Sequence, residues 1–407
     1  MAAPLISKAE LQSCVDAVQT HGSAVAAAAA LSINLETFRS RMRNAKALGL
    51  VPRGMAPDHP RILKGKIKEL QTELKKSLQT SSEVEAIKDA VGALRSNVEA
   101  CEPPKWTQTA LAKASSPGVP TLMLSDFHWG EQVFPAQIGG VNKFNMKIAR
   151  ERLRYTIDTA IHLCKIISPS MDYPGIVAPL GGDIISGNIH DELTATNELN
   201  TMPVVLEVYG ELIAAITRLR GAFGSVFVPC VTGNHGRDTR KCWNKDRHHT
   251  SFDWLIYRFL AKHFEGDKRV TFYIPDGSDA LYRVWDYKFL LSHGDQFRGG
   301  DSIIGCLGPL TRGNQKKRSR NQSIGMGYDT MIVGHFHTYI HTRTLIVNGS
   351  LKGMDEYAYT NNFSFEEPQQ ALWLNHPRHG ITFRMPVNCE QGAVKAKTNW
   401  VSVYEQP

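Results

Sequence analysis

The chain has 407 residues, 42% hydrophobic and 21% charged, the balance of an ordinary soluble globular protein with room for two or three domains. No apolar run approaches the ~18 residues that span a bilayer, and Met1-Ala2-Ala3-Pro4 lacks the charged-then-apolar layout of a signal peptide, so no membrane association is expected. A net charge of +8 favours a polyanionic partner, and seven scattered cysteines without a CxxC pair read as reduced thiols in a cytoplasm, not a disulfide framework.

Residues 1–52 read as a small helical unit. Leu11, Cys14, Val15 and Val18 keep helical spacing over Lys8 to Gln19, and His21-Gly22 stops the run. Ser23 caps a short alanine-rich helix, Ala24 to Ala30. Asn34 caps a third helix from Leu35 to about Leu48, closed by Gly49. Helix, helix, tight turn and basic helix is a helix-turn-helix layout, and the string Ala27–Leu50 resembles that family. On this reading Arg39, Arg41, Arg43 and Lys46 face DNA, while Leu35, Phe38 and Met42 face the core. The competing reading is a three-helix interaction module with solvated arginines.

Residues 53–100 carry Leu63, Ile67, Leu70 and Leu74, then Val84, Ile87, Val91, Leu94 and Val98, at spacings of three and four. This predicts an amphipathic helix or hairpin over 61–99, which either dimerises the chain as a short coiled coil or packs on its own catalytic domain. Residues 101–120 are a proline- and serine-rich linker, and 387–407 read as a poorly packed tail.

Between them, residues 121–386 alternate short apolar runs with amphipathic helical runs, the pattern of an α/β layered domain. Thr121–Leu124 ends at Asp126 and His128. Ile176–Leu180 ends at Gly181-Gly182-Asp183, and Val226–Val231 at Gly233-Asn234-His235. Tyr287–Ser292 ends at His293-Gly294-Asp295, and Met331–Gly334 at His335-Phe336-His337. Residues i and i+2 of an extended chain point to one side, so Asp126 with His128, and His335 with His337, can converge. Strand ends are where ligands bind in open α/β sheets. Mixed oxygen and nitrogen donors suit Mn, Fe, Zn or Ni better than Mg or Ca, and one carboxylate can bridge two cations ~3.5–4 Å apart.

The ordered set D-x-H, G-D, G-N-H, H and G-H-x-H, over about Thr121 to Asn348, resembles the calcineurin-like metallophosphoesterase family. The resemblance implies a two-sheet α/β/β/α sandwich, to which the helical residues 1–100 would be an N-terminal all-helical extension, and two divalent cations, Mn²⁺ foremost. It implies that Asp126, His128 and His337 hold the first cation, Asn234, His293 and His335 the second, and that Asp183 bridges them. His235 would assist the departing oxygen while metal-activated water attacks phosphorus.

The substrate is less plainly written. The protein-phosphatase branch extends its second motif to G-D-x-x-D-R-G and flanks G-N-H with Arg and Glu; here Ser186-Gly187, Thr232 and Gly236 stand instead. Asp126 to Gly130 is closer to the D-x-H-x-G of the nuclease branch, which commonly has Asp where this chain has Gly236, so Asp238 is the nearest candidate to orient His235. Arg237 and Arg240 follow that motif, and Lys316, Lys317 and Arg318 lie in a basic stretch read as a loop; all five are candidate substrate contacts. Phe297, Tyr328 and Tyr339 could stack on bases or belong to the core, and His190-Asp191 could orient substrate or form a plain loop. The combined expectation is a metal-dependent DNA nuclease. The alternative is a phosphomonoesterase or small-nucleotide phosphodiesterase whose N-terminal helices assemble oligomers.

Overall fold

The computed structural model describes residues 6–48, 50, 117–167, 169, 171–298 and 305–392. The segment read as a dimerising helix, 61–99, lies outside them, as does nearly all of the linker. The chain divides into two units, residues 1–92 and 93–407.

In the first unit, three helices occupy Lys8–His21 (α1), Ala24–Ala30 (α2) and Leu35–Ala47 (α3). Local chemistry sets each start. Ser7 and Glu10 close a capping box, the Ser23 hydroxyl accepts from Ala26 N–H, and Asn34 Oδ1 accepts from Thr37 N–H at 2.7 Å. Gly22 ends α1 at φ +73°, a left-handed conformation that costs glycine little. Cys14, Ala17, Ala27, Ala28 and Phe38 form the core. Arg39, Arg43 and Lys46 are exposed on α3. Arg41 corrects the expected set: it is partly buried and turns to Glu10 on α1, 4.0 Å away.

The second unit holds two sheets. One has strand order β11-β10-β1-β2-β3-β4, from Val119–Leu122 (β1), Ile176–Val177 (β2), Val226–Pro229 (β3), Val270–Tyr273 (β4), Gln369–His376 (β10) and Gly380–Asn388 (β11). The other has order β5-β6-β7-β9-β8, from Asp279–Val284 (β5), Tyr287–Ser292 (β6), Thr330–Val333 (β7), Ile340–His341 (β8) and Leu345–Val347 (β9). Strands β1 to β4 are mutually parallel, as are β6, β7 and β9. The motif-bearing ends therefore come from parallel runs in both sheets.

Side-chain alternation builds the layers. Val226 and Val228 face the helices Met146–Ile167 (α4), Thr201–Phe223 (α6) and Phe252–His263 (α7), while Phe227 joins Phe289, Leu291 and Ile332 between the sheets. Met331 and Val333 face away, against Leu310 of Leu307–Ser323 (α8). The unit is thus a helix, sheet, sheet, helix stack. Two short helices, Asp191–Thr196 (α5) and Glu356–Thr360 (α9), complete the described set.

Several boundaries differ from expectation. β1 begins at Val119, so the sheet starts inside the segment read as linker, and β11 runs to Asn388 with Val387 and Cys389 buried, so the tail starts later. Ladder pairing is cut short before Pro179 and at Pro229, because proline has no N–H to give; Leu124, Leu180 and Cys230 continue as single bridges. The basic stretch Arg312–Arg320 is helix α8, not a loop. Among the described residues every cysteine is a free thiol, and no helix is long and apolar enough to cross a membrane.

Candidate metal centre

All eight residues of the ordered motif set converge at the strand ends. Asp126, His128 and His337 form one group of potential ligands, His128, Asp183 and His235 a second, and Asp183, His293 and His335 a third; within each, ligand atoms lie within 4.8 Å of one another. Asn234 Oδ1 adds an amide oxygen 3.1 Å from His293 Nε2. Asp183 Oδ2 stands 3.0 Å from the same nitrogen. His128 Nε2 and His337 Nε2 face each other at 3.0 Å.

The backbone is bent to achieve this. Asp126, His128, Asp183, His335 and His337 all adopt φ between +49° and +69°. For a residue with a Cβ this region costs on the order of 1–3 kcal/mol and persists only where surrounding contacts over-determine it. Those contacts are present. Asp126 accepts from His335 N–H at 2.8 Å and from the Ser125 hydroxyl. Ser125 is held in turn by Asn348 and Gln370, both buried. Glycine makes room: a Cβ at Gly233 would overlap the Asp183 carboxylate, and one at Gly334 the Asp126 carboxylate.

The donor set fits divalent cations. Burial holds His335 down to about 4 and keeps His128 and His337 below their ordinary values, so these imidazoles are neutral at pH 7 with a lone pair to offer. His128 Nδ1 faces Glu131 Oε2 at 3.4 Å, beyond hydrogen-bond length and with no hydrogen-bond partner, while Nε2 is the nitrogen turned to the centre. Glu131 is itself fixed by buried Lys352, whose Nζ lies 2.8 Å from Oε1. Burial would also lower His293, but the Asp183 carboxylate outweighs it and raises the ring to about 10. Burial opposes ionisation of Asp183, yet His293, His235 and His128 hold it well below the usual carboxylate range, while burial pushes Asp126 up. Two buried carboxylates share the site with neutral His128, His335 and His337 and with a His293 raised by Asp183, an environment in which a cation would take the place of that proton.

Three expectations about orientation and contact change. The group on His235 Nδ1 is the Ser186 carbonyl at 3.0 Å, not Asp238, whose N–H pairs with Thr250 O across the base of the following segment. Arg237 turns back on its own loop, donating to the carbonyls of Asn234, Thr239 and Arg240, so it braces the motif. Lys317 is buried and pairs with Asp279 and with the Ser292 hydroxyl, and Arg318 donates to the Asp329 carbonyl. Helical periodicity turns Lys317 inward, where it ties α8 to its sheet and leaves the substrate set, whereas Arg318 stays partly exposed. Tyr328 is buried and Phe297 and Tyr339 pack on the core, which makes them core aromatics. Arg240 and Lys316 are exposed. His190, at the start of α5, lies with its ring 6.0 Å from that of His235.

One residue of the centre went unread. Asp253, in the first turn of α7 and fully buried, accepts from the N–H groups of Asp183 at 3.0 Å, Gly233 at 2.9 Å and Ile184 at 3.2 Å. It clamps the second and third motif loops together. A carboxylate in the otherwise apolar run Phe252 to Tyr257 was the available signal.

No protein-family description matches this chain, and no curated protein does. Solved structures similar to it include a predicted phosphoesterase of Streptococcus pneumoniae, at 11% identity over 66% of this chain and 98% of that one, with a TM-score of 0.24. Another is a provisionally assigned 5'-nucleotidase of Staphylococcus aureus, at 9% identity with a TM-score of 0.29; the match covers 69% of this chain and 56% of that one. Likeness at this level carries no functional weight.

Proposed function

We propose that this chain is a phosphodiesterase of the calcineurin-like kind, dependent on two divalent cations, and that its substrate is DNA. The observation that carries the reading is the meeting of three ligand groups linked through His128 and Asp183, one of which includes His235. Asp126, His128 and His337 would hold one cation, Asn234, His293 and His335 the other, and Asp183 both. Mn²⁺ suits this mixed donor set, with Fe, Zn or Ni as alternatives. Such a pair supplies Lewis acidity at a phosphoryl group and a nucleophile at neutral pH.

The chain's own groups do the rest. Asp183 is held by His235 N–H at 2.7 Å, so the bridging carboxylate and the third motif move as one. His235 Nδ1 is engaged by the Ser186 carbonyl, which fixes the ring and leaves Nε2 to hold or deliver the proton of the departing oxygen. Exposed Arg240 and Lys241 follow directly, with Trp243 53% exposed, a basic and aromatic surface of the kind that tracks a single strand. Arg39, Arg43 and Lys46 offer phosphate contacts on α3.

The test is cleavage of end-labelled linear DNA, circular single-stranded DNA and bis(p-nitrophenyl) phosphate with Mn²⁺, beside His235→Ala and Asp183→Asn. DNA cleavage that both variants abolish supports the reading. Turnover of the small diester with DNA left intact would favour a small-nucleotide phosphodiesterase, and the proposal for DNA would fall.

A further inference from the structure

We propose that His248, His249 and Asp276 form a separate transition-metal site of the Zn²⁺ class, which shares no residue with the centre described above. His248 Nε2 and His249 Nε2 lie 3.6 and 3.9 Å from the same oxygen, Asp276 Oδ1. An N–H···O hydrogen bond is ~2.7–3.2 Å, so both separations are too long for that. They approach the ~3.3 Å between donors that share one tetrahedral ion with bonds of ~2.0–2.1 Å. All three ligand atoms lie within 4.8 Å of one another.

A second observation concerns the outer side of the ring. His249 Nδ1 faces Asp246 Oδ1 at 3.4 Å, so a carboxylate lies on the side of the ring away from Asp276, and Nε2 is the nitrogen turned to the site. The ring is further fixed by Trp254, edge-on at 5.0 Å. Two imidazoles and one carboxylate favour Zn²⁺ over Mg²⁺ or Ca²⁺. Asp276 is 80% exposed at its side chain, so solvent completes the coordination.

The site would join two segments. Residues 238–250 leave the third motif and return to it, closed at the base by Asp238 N–H on Thr250 O and by the Arg237–Ser251 bridge. Asp276 belongs to the turn between β4 and β5. An ion held by both pins this excursion, which carries Arg240 and Lys241, and Arg247 ties it again to Asp295, two residues beyond His293, at 2.9 Å.

The test is the Zn²⁺ count of the metal-stripped full-length chain after loading with Zn²⁺ alone and gel filtration. Asp276→Ala and His249→Ala should each bind one equivalent fewer than the parent. A variant of the main centre that disarms both cation positions, Asp126→Ala with Asp183→Asn and His335→Ala, should retain one equivalent and lose it when Asp276→Ala is added. Asp276 is surface-exposed, so its replacement leaves the metal-free melting temperature unchanged and the count interpretable. Equal counts in the parent and in Asp276→Ala, or no Zn²⁺ bound by the main-centre variant, would overturn the site. Failure of the main centre alone would instead appear as a parent that binds a single ion, lost with Asp276→Ala.

Discussion

Gly236 stands against Asp253: a Cβ at position 236 would lie 2.8 Å from the Asp253 carboxyl carbon and Oδ1. The small residue that departs from the nuclease-like pattern is thus the one that lets a buried carboxylate reach three backbone N–H groups. Gly236→Ala should displace that carboxylate and leave buried donors unmet, lowering stability by about 1–3 kcal/mol. Thermal unfolding reads this directly, and a variant as stable as the parent would show that the space is not needed.

Glu131 faces His128 Nδ1 without being a ligand, so its neutral analogue tests positioning apart from ligation. Glu131→Gln should weaken metal affinity by roughly 10–100-fold, the range for residues that orient a ligating histidine. Calorimetric titration with Mn²⁺ measures it. Parent-like affinity would mean that the 3.4 Å contact to His128 Nδ1 is incidental.

His235 differs in kind from the ligands. His235→Ala should lower kcat by roughly 10²–10⁴-fold, as removal of a proton donor does, while bound metal stays unchanged. Loss of metal together with activity would instead make His235 a ligand, consistent with its place in the group His128, Asp183 and His235.

Asp279 gives a pH dependence away from the centre. Burial opposes its ionisation, but Lys317 and the hydrogen bonds around it hold its carboxyl below the ordinary value. A depressed folded-state pKa contributes stability that is present above the unfolded value of ~3.9 and is lost as pH falls through the folded value. The melting-temperature gap between the parent and Asp279→Asn should therefore be widest near neutrality and narrow below about pH 4. A gap that is constant from pH 7 to pH 3 would contradict the assignment.

Arg39 and Arg43 are exposed on α3, whereas Arg41 turns inward. If α3 meets phosphates, each of Arg39→Ala and Arg43→Ala should weaken DNA binding on any sequence and reduce the log–log salt slope by about 1. Arg41→Ala should change stability more than slope. Unchanged slopes for the first two would remove α3 from the DNA-binding surface.

The eight motif residues could be read in order from the chain because the chemistry leaves few substitutes for carboxylate, imidazole and amide at a cation. The helix starts at Ser7, Ser23 and Asn34 were legible for a similar reason: a cap is satisfied within three residues. The sequence of apolar runs also announced the parallel strands that carry the motifs, although Pro179 and Pro229 shorten the ladders.

Other assignments depended on partners far away in the chain. Lys317 looks like a solvated charge until α8 packs it against Asp279, and Ser186 offers His235 a main-chain carbonyl that no residue type announces. Gln370 reaches Ser125 across 245 residues to steady Asp126. The sequence by itself determined which donor atoms this protein has and in what order they arrive, because those depend on side-chain identity and local backbone. Tertiary structure alone decided which charges are spent in the scaffold and which carboxylate, Asp253, holds the loops, because burial and hydrogen-bond partners exist only once distant segments meet.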